Sequence, residues 1–332
     1  MENPNENSNQ NPNENSKIVT MADVLRARKR IWRYVYETPL EFSRSLSAND
    51  NHVYLKLECQ QLLKSYKIRG AFNRLLTLAD AQRRAGVICC SSGNYGAGVS
   101  YAAGLLDIGR AHVYIPKNTP GSKTEKIRYY GAQVTLAGDN YDEAHAIALE
   151  AARGSDLTYI DSSSDVPVIA GQGTVGLEIM EQNPDIDTIL VPIGCGGVIT
   201  GISAAAKALN PNVRVYGVQT AACPAMVASL RDNICYRTYP SAESVCESLI
   251  GGVEEIPFLM ARQCIDDIIV VQESTILEAV KLLLTKEMTV AEPGGAVAAA
   301  AIMENPELFE NKNIALVITG GNIDEKCLEA II

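Results

Sequence analysis

An α/β fold is the class the sequence predicts: two open, twisted α/β domains with a ligand cleft between them. Three observations carry this. Short apolar runs alternate with helix-length segments from Ile18 onward, the pattern of mainly parallel strands joined by helices. Those runs are more numerous than one compact sheet usually needs. Three of the turns that follow them are rich in glycine and small polar residues, and in open α/β sheets ligands sit at the carboxyl ends of strands.

Taken in order, the first segment stands apart. The hexapeptide Asn-Pro-Asn-Glu-Asn-Ser occurs at 3–8 and again at 11–16. It has no aliphatic or aromatic side chain to offset the entropy of ordering, so residues 1–17 read as a disordered tail. Met21 to Tyr36 reads as a helix with apolar positions at Val24, Leu25, Ile31 and Val35. Val53–Leu57 alternates like a strand, and Lys67–Ala79 reads as a helix after a loop. Further strands are expected at Val87–Cys90, His112–Ile115, Gln133–Leu136, Thr158–Ile160, Thr188–Ile193, Val213–Gln219, Asp267–Val271 and Ile314–Ile318. Helices fit between most of them, for example Tyr141–Arg153, Gly173–Gln182 and Ile202–Leu209.

Composition narrows the function. The 332 residues are 47% hydrophobic and 20% charged, an ordinary globular balance. Lys and Arg number 29 against 39 Asp and Glu, and a net charge of −10 disfavours nucleic-acid binding. The longest apolar runs, such as Ala296 to Met303, are far short of a membrane span. No secretory leader pattern is present, and nine cysteines without a C-x-x-C pair suit reduced thiols. The expected location is therefore cytoplasmic. Only three histidines occur, His52, His112 and His145, none at metal-ligand spacing from another. There is no G-x-S-x-G elbow either.

The polar turns are Ser91-Ser92-Gly93-Asn94-Tyr95-Gly96, Gly194-Cys195-Gly196-Gly197-Val198 and Thr319-Gly320-Gly321-Asn322. The second is the best anion site, because glycines admit close backbone approach and helix N-terminal amides favour phosphate. A tight strand–helix connection with no ligand is the alternative for that segment alone. A dinucleotide fits poorly: the glycine spacing is imperfect and the next strand ends in Gln219 rather than an acid. Lys67 stands within Ser65-Tyr66-Lys67-Ile68-Arg69-Gly70-Ala71 at a helix start. Alone it reads as a solvated side chain. A phosphate site, an amine nucleophile and a neutral hydroxyl in one cleft are together what pyridoxal 5'-phosphate needs.

With Ile-Ala-Gly-Gln-Gly-Thr at 169–174 and Ala-Glu-Pro-Gly-Gly-Ala at 291–296 added to these segments, the chain resembles the fold-type II pyridoxal-phosphate enzymes, the tryptophan synthase β-subunit-like superfamily. Within it the chain is most similar to the serine/threonine dehydratase and serine racemase group. The resemblance implies that Lys67 holds the cofactor covalently and moves protons, with a pKa lowered by partial burial and by the cofactor's chemistry. It implies that Tyr66 lies beside the cofactor ring, where the family usually has Phe. It further implies that Asn94 bonds the 3'-oxygen, that Gly194, Cys195, Gly196, Gly197 and Val198 form the phosphate loop, and that Thr319 meets the pyridine nitrogen. A hydroxyl there makes the cofactor a moderate electron sink, which favours β-elimination. Ser92 stands where racemases of the group carry a serine that protonates Cα; a helix-capping serine is the other reading.

Several positions depart from the group's pattern: Tyr95 for His, Asp161-Ser162-Ser163-Ser164 for a His-Pro stretch, and Cys246-Glu247-Ser248 for Ala-Asp-Gly. Gln219 and Cys223 fall where metal-binding members carry carboxylates, so no metal site is expected. The expected activity is dehydration of L-threonine, L-serine or a related 3-hydroxy amino acid to a 2-keto acid and ammonia. Racemisation and a non-catalytic amino-acid-binding homologue are the alternatives. The resemblance also implies a small domain at 86–161, a large one from 18–85 and 162–332, and a homodimer. No effector domain is expected, since thirteen residues follow Thr319.

Overall fold

The computed structural model describes residues 18–331 apart from Asn49, Ser92 and Pro120; the tail expected at 1–17 lies outside the described residues. Ten strands occur among those described. In chain order they are β1 (Leu40–Phe42), β2 (His52–Lys56), β3 (Val87–Cys90), β4 (Ala111–Ile115), β5 (Gln133–Leu136), β6 (Thr158–Tyr159), β7 (Thr188–Pro192), β8 (Arg214–Thr220), β9 (Asp267–Val271) and β10 (Asn313–Val317). One sheet has four strands in the order β5-β4-β3-β6, the other six in the order β1-β2-β10-β7-β8-β9. Every pairing is parallel except β1 with β2.

The strands expected from the sequence recur within a residue or two. The antiparallel edge strand β1 was not foreseen. It is three residues long and largely exposed, so it carries too little periodicity to read. The first helix ends at Ile31 rather than Tyr36. Its start is marked by a capping box between Thr20 and Asp23. Beyond it the chain closes in a turn, with Tyr34 and Val35 donating to the Ile31 carbonyl at 2.8 and 3.2 Å, and the Tyr36 carbonyl accepts from Gln61 Nε2 and Arg69 Nη2 at 2.7 and 3.1 Å.

The larger correction concerns the helix expected at Gly173–Gln182. It begins at Val166. Asp165 caps it and proline occupies its first turn, but the glycines within it disguise the helical pattern. Those glycines serve packing. A Cβ on Gly173 would lie 2.7 Å from the Gly201 carbonyl oxygen, and one on Gly201 would lie 2.3 Å from that of Ile169. The helices Val166–Gln182 and Gly197–Leu209 therefore meet backbone to backbone, which seats the Gly194–Val198 turn firmly at the end of β7.

Two other features settle the frame of the six-stranded sheet. The helix Pro293–Glu304 is buried from Pro293 through Ile302, and Phe309 packs edge-on against Tyr216 with ring centroids 5.8 Å apart. A charged cluster lies beneath the helix Lys67–Leu76. Arg69 donates to Glu58 at 2.8 Å through both Nε and Nη2, and to Glu178 at 2.6 and 2.9 Å. Lys56 Nζ adds a 2.7 Å bond to Glu178 Oε2 and another to the Thr38 carbonyl. Two cations thus face two carboxylates, all four side chains nearly or fully buried. Such groups tolerate burial only when every charge is matched and hydrogen-bonded.

Candidate active site

Lys67 opens the helix Lys67–Leu76, and the turn before it is tied to the end of β10. Ser65 makes a bridge with Gly320, and Tyr66 donates its N–H to the Thr319 carbonyl at 3.2 Å. Lys67 and Thr319 therefore line the same cavity although 252 positions separate them. That cavity measures about 450 Å³. It is also lined by Tyr66, Asn94 and the whole turn Gly194, Cys195, Gly196, Gly197 and Val198. Every predicted site residue among the described ones is thus brought together. Ser92 lies outside the described residues; its neighbour Ser91 lines the cavity, and Ser91 Oγ accepts from Gly93 N at 3.3 Å.

The Gly194–Val198 turn presents donors. Gly196 sits at φ +96°, a conformation that suits glycine, and turns the chain into the helix Gly197–Leu209. The first amide of that helix returned to the backbone is that of Thr200, to the Gly196 carbonyl at 3.2 Å. The amides of Gly194 to Val198 have no acceptor among the described residues. Several unpaired N–H groups at a helix N-terminus make an anion cradle. The side chain of Cys195 is not required for this, and burial pushes its thiol up to about 11.

Opposing influences act on the free Lys67 amine. Burial does pull its ammonium down, but the Tyr66 hydroxyl, the Cys195 thiol and the Asp161 carboxylate outweigh burial and leave it above the usual lysine value. Its Nζ lies 5.1 Å from the centroid of the Tyr66 ring. Asp161 can play this part because it stays ionised. Burial raises its pKa, but His145 and the N–H groups of Ser163 and Ser164, at 2.8 and 2.7 Å, hold it below the ordinary value.

Thr319 is 5% exposed, and its hydroxyl has no partner among the described residues. Asn94 donates through Nδ2 to Glu292 Oε1 at 2.8 Å and accepts at Oδ1 from Asn322 at 2.7 Å. Glu292, which had no role in the sequence reading, is pushed by burial to about 7 against the pull of Lys123, Asn94, Lys126 and Lys67. Its one sequence signal is an acidic residue directly before a helix that is apolar on every side. Lys126 also lines the cavity and was missed, since one lysine on a polar helix gives no signal. At the rim, Lys123 pairs with Glu247 across the cleft.

The residues present fit pyridoxal phosphate on chemistry of their own: amide donors for a phosphate, an amine for its carbonyl carbon, an amide for its 3'-oxygen and an uncharged hydroxyl. No three His, Cys, Asp or Glu side chains converge as a metal site among the described residues. Gln219 and Cys223 spend their polar atoms on the backbone; Gln219 accepts from Met226 and Val227 at 3.0 and 3.1 Å, and Cys223 bonds Gly251. No described helix is long and apolar enough to cross a membrane.

Comparison with known proteins agrees. The family model for pyridoxal-phosphate dependent enzymes matches residues 31–320. An L-threonine ammonia-lyase of Thermotoga maritima is 38% identical over 95% of this chain and 78% of its own length. The catabolic L-threonine dehydratase TdcB of Escherichia coli is 37% identical over 92% of this chain and 94% of its own. Among solved structures, maize serine racemase superposes with a TM-score of 0.87 at 31% identity, covering 94% of this chain and 96% of that one.

Proposed function

The chain belongs to the pyridoxal-phosphate-dependent enzyme family, and from that premise we propose that it is a dehydratase converting L-threonine, L-serine or a related 3-hydroxy amino acid to a 2-keto acid and ammonia. The observation that carries the reading is the convergence, on one cavity of about 450 Å³, of the Lys67 amine, the Thr319 hydroxyl and the amides of Gly194–Val198, the last two without partners among the described residues. When bound, pyridoxal phosphate supplies an electron sink that acidifies the Cα–H of the substrate, and a carbonyl carbon with which Lys67 condenses.

The loop amides would hold the phosphate, Asn94 would donate to the 3'-oxygen, and Tyr66 would lie beside the ring. Thr319 would meet the pyridine nitrogen with a hydroxyl that cannot strongly protonate it, which would keep the sink moderate and favour expulsion of the β-hydroxyl. Lys67 Nζ takes the Cα proton. The Cβ–O bond then breaks, and the leaving hydroxide takes up the proton that Lys67 Nζ removed and departs as water. The released enamine hydrolyses to the keto acid and ammonia.

The purified protein is expected to be yellow, with a visible band that borohydride removes. Lys67→Ala should abolish that band and lower turnover by at least about 10²-fold. A colourless protein that cannot be reconstituted would overturn the reading. Racemisation is the second reading, favoured by Ser92 and by the likeness to maize serine racemase. Measuring keto acid and D-enantiomer from each L-substrate separates the two, and D-product without keto acid would replace dehydration by racemisation. We also propose a cytoplasmic homodimer; nine free thiols support a reducing compartment. Light scattering should give twice the mass of one chain.

A further inference from the structure

Four side chains form a continuous hydrogen-bonded line across the cleft. Lys126 Nζ donates to Asn322 Oδ1 at 2.6 Å. Asn322 Nδ2 donates to Asn94 Oδ1 at 2.7 Å and to the Leu63 carbonyl at 2.8 Å. Asn94 Nδ2 donates to Glu292 Oε1 at 2.8 Å. The two inner members are carboxamides, whose oxygen and nitrogen ends have nearly the same shape. Sterics do not choose between their two orientations; the chemistry of the partners does.

The ends of the line make that choice. An ammonium carries three donors and no acceptor, so the group facing Lys126 must be the oxygen of Asn322. A backbone carbonyl only accepts, so the group facing Leu63 must be the nitrogen of Asn322. Both demands agree, and the second hydrogen of that nitrogen then points to Asn94. The Asn94 oxygen is thereby turned to Asn322. Its nitrogen faces Glu292 with one hydrogen and has one left over for the cavity it lines.

We propose that Lys126 is a positioning residue: as a pure donor at the head of this line, it makes Asn94 present an N–H rather than a carbonyl oxygen to the 3'-oxygen of the cofactor. The inference rests on the reading that pyridoxal phosphate occupies the cavity beside Asn94. A reversed Asn94 would set an acceptor against an oxygen that carries negative charge, so the direction of two distant amides becomes a term in cofactor affinity and in the protonation of the bound ring. Lys126 lies on the helix Gly121–Tyr129 while Asn322 follows β10, so the line also joins the two walls of the cleft through polar contacts alone.

The test compares Lys126→Arg, Lys126→Met and Lys126→Glu in the full chain. Arginine is also a donor with no acceptor and should recover most of the affinity for pyridoxal phosphate. Methionine leaves the Leu63 carbonyl and Glu292 as the remaining guides and should weaken binding several-fold, less than glutamate does. Glutamate reverses the demand and should weaken binding at least about tenfold, the effect of roughly one charged hydrogen bond, and should shift the pH titration of the visible band of the bound cofactor. Thermal melts confirm that all three remain folded. In protein labelled with ¹⁵N-asparagine, measured without added cofactor, the side-chain amide signals of Asn94 and Asn322 should move in the glutamate variant and stay near their positions in the arginine variant. An arginine variant as impaired as the glutamate one, or glutamate-variant signals that stay in place, would overturn the inference. Failure of the unaltered protein to take up pyridoxal phosphate would instead sink the reading of the site, and the amide signals would still decide whether Lys126 orients the line.

Discussion

The two walls of the cleft hold their polar groups by different means. Toward the six-stranded sheet, the helix that starts at Lys67 is anchored through its own Arg69 to Glu58, Glu178 and Lys56, and Arg69 and Glu58 are fully out of solvent. On the side of the four-stranded sheet, Asn94, Lys123 and Lys126 reach across the cleft to Glu292, Glu247 and Asn322 and are only half-buried. A matched cluster in a dry interior is costly to break but does not respond to a ligand. A line of half-buried side chains is cheap to rearrange and does respond. The first wall therefore sets where Lys67 stands, and the second presents the adjustable polar groups of the cavity.

The sharpest way to break this contrast is Arg69→Met. It leaves Glu58 and Glu178 buried with Lys56 as the remaining cation, and the expected loss is about 3–5 kcal/mol of unfolding free energy, read by urea denaturation. A loss below about 1 kcal/mol would show that the first wall is not built as described.

Glu292→Gln probes the boundary between the walls. Burial raises Glu292 to about 7, against Lys123 and Lys126 on one helix and Lys67 on another. The folded chain thus keeps a proton that the unfolded chain loses near 4.5. Stability contributed at this position falls as pH rises from about 4.5 to about 7, and the full cost applies above that window. Glutamine removes the cost, so the variant should gain stability relative to the unaltered protein at about pH 8, by up to about 3 kcal/mol, and gain little at about pH 5. An equal difference at both pH values would exclude the assignment. The smallest effect is expected at the rim, where Glu247 is 63% exposed. There Lys123→Ala should change stability by less than about 1 kcal/mol in a thermal melt.

Much of the site could be read before the fold. Lys67, Asn94, the Gly194–Val198 turn and Thr319 each stand in a short segment whose composition is odd for a loop, and their order along the chain matches a known pattern. Glu292 and Asn322 lie inside quoted segments but gained their roles only from contacts to Asn94. Lys126 has no local signal. The first turns of the long helix from Val166 carry Pro167 and Gly171 and do not read as helix; tertiary packing explains the glycines, since Gly171 meets the backbone of the Lys67–Leu76 helix while Gly173 and Gly176 meet that of the Gly197–Leu209 helix.

The sequence by itself determined the strand–helix alternation, because burial imposes its periodicity on each segment locally, and the chemical types the cleft would need. Tertiary structure alone decided three things. It put Thr319 beside Tyr66 through the Ser65–Gly320 bridge. It matched Arg69 and Lys56 to Glu58 and Glu178, a neutrality that depends on which charges share a dry volume and not on their spacing. And it surrounded the free Lys67 amine with the Tyr66, Cys195 and Asp161 groups, which oppose the burial that the sequence foresaw. In each case the deciding quantity is a distance between residues far apart in the chain, which periodicity and composition do not encode.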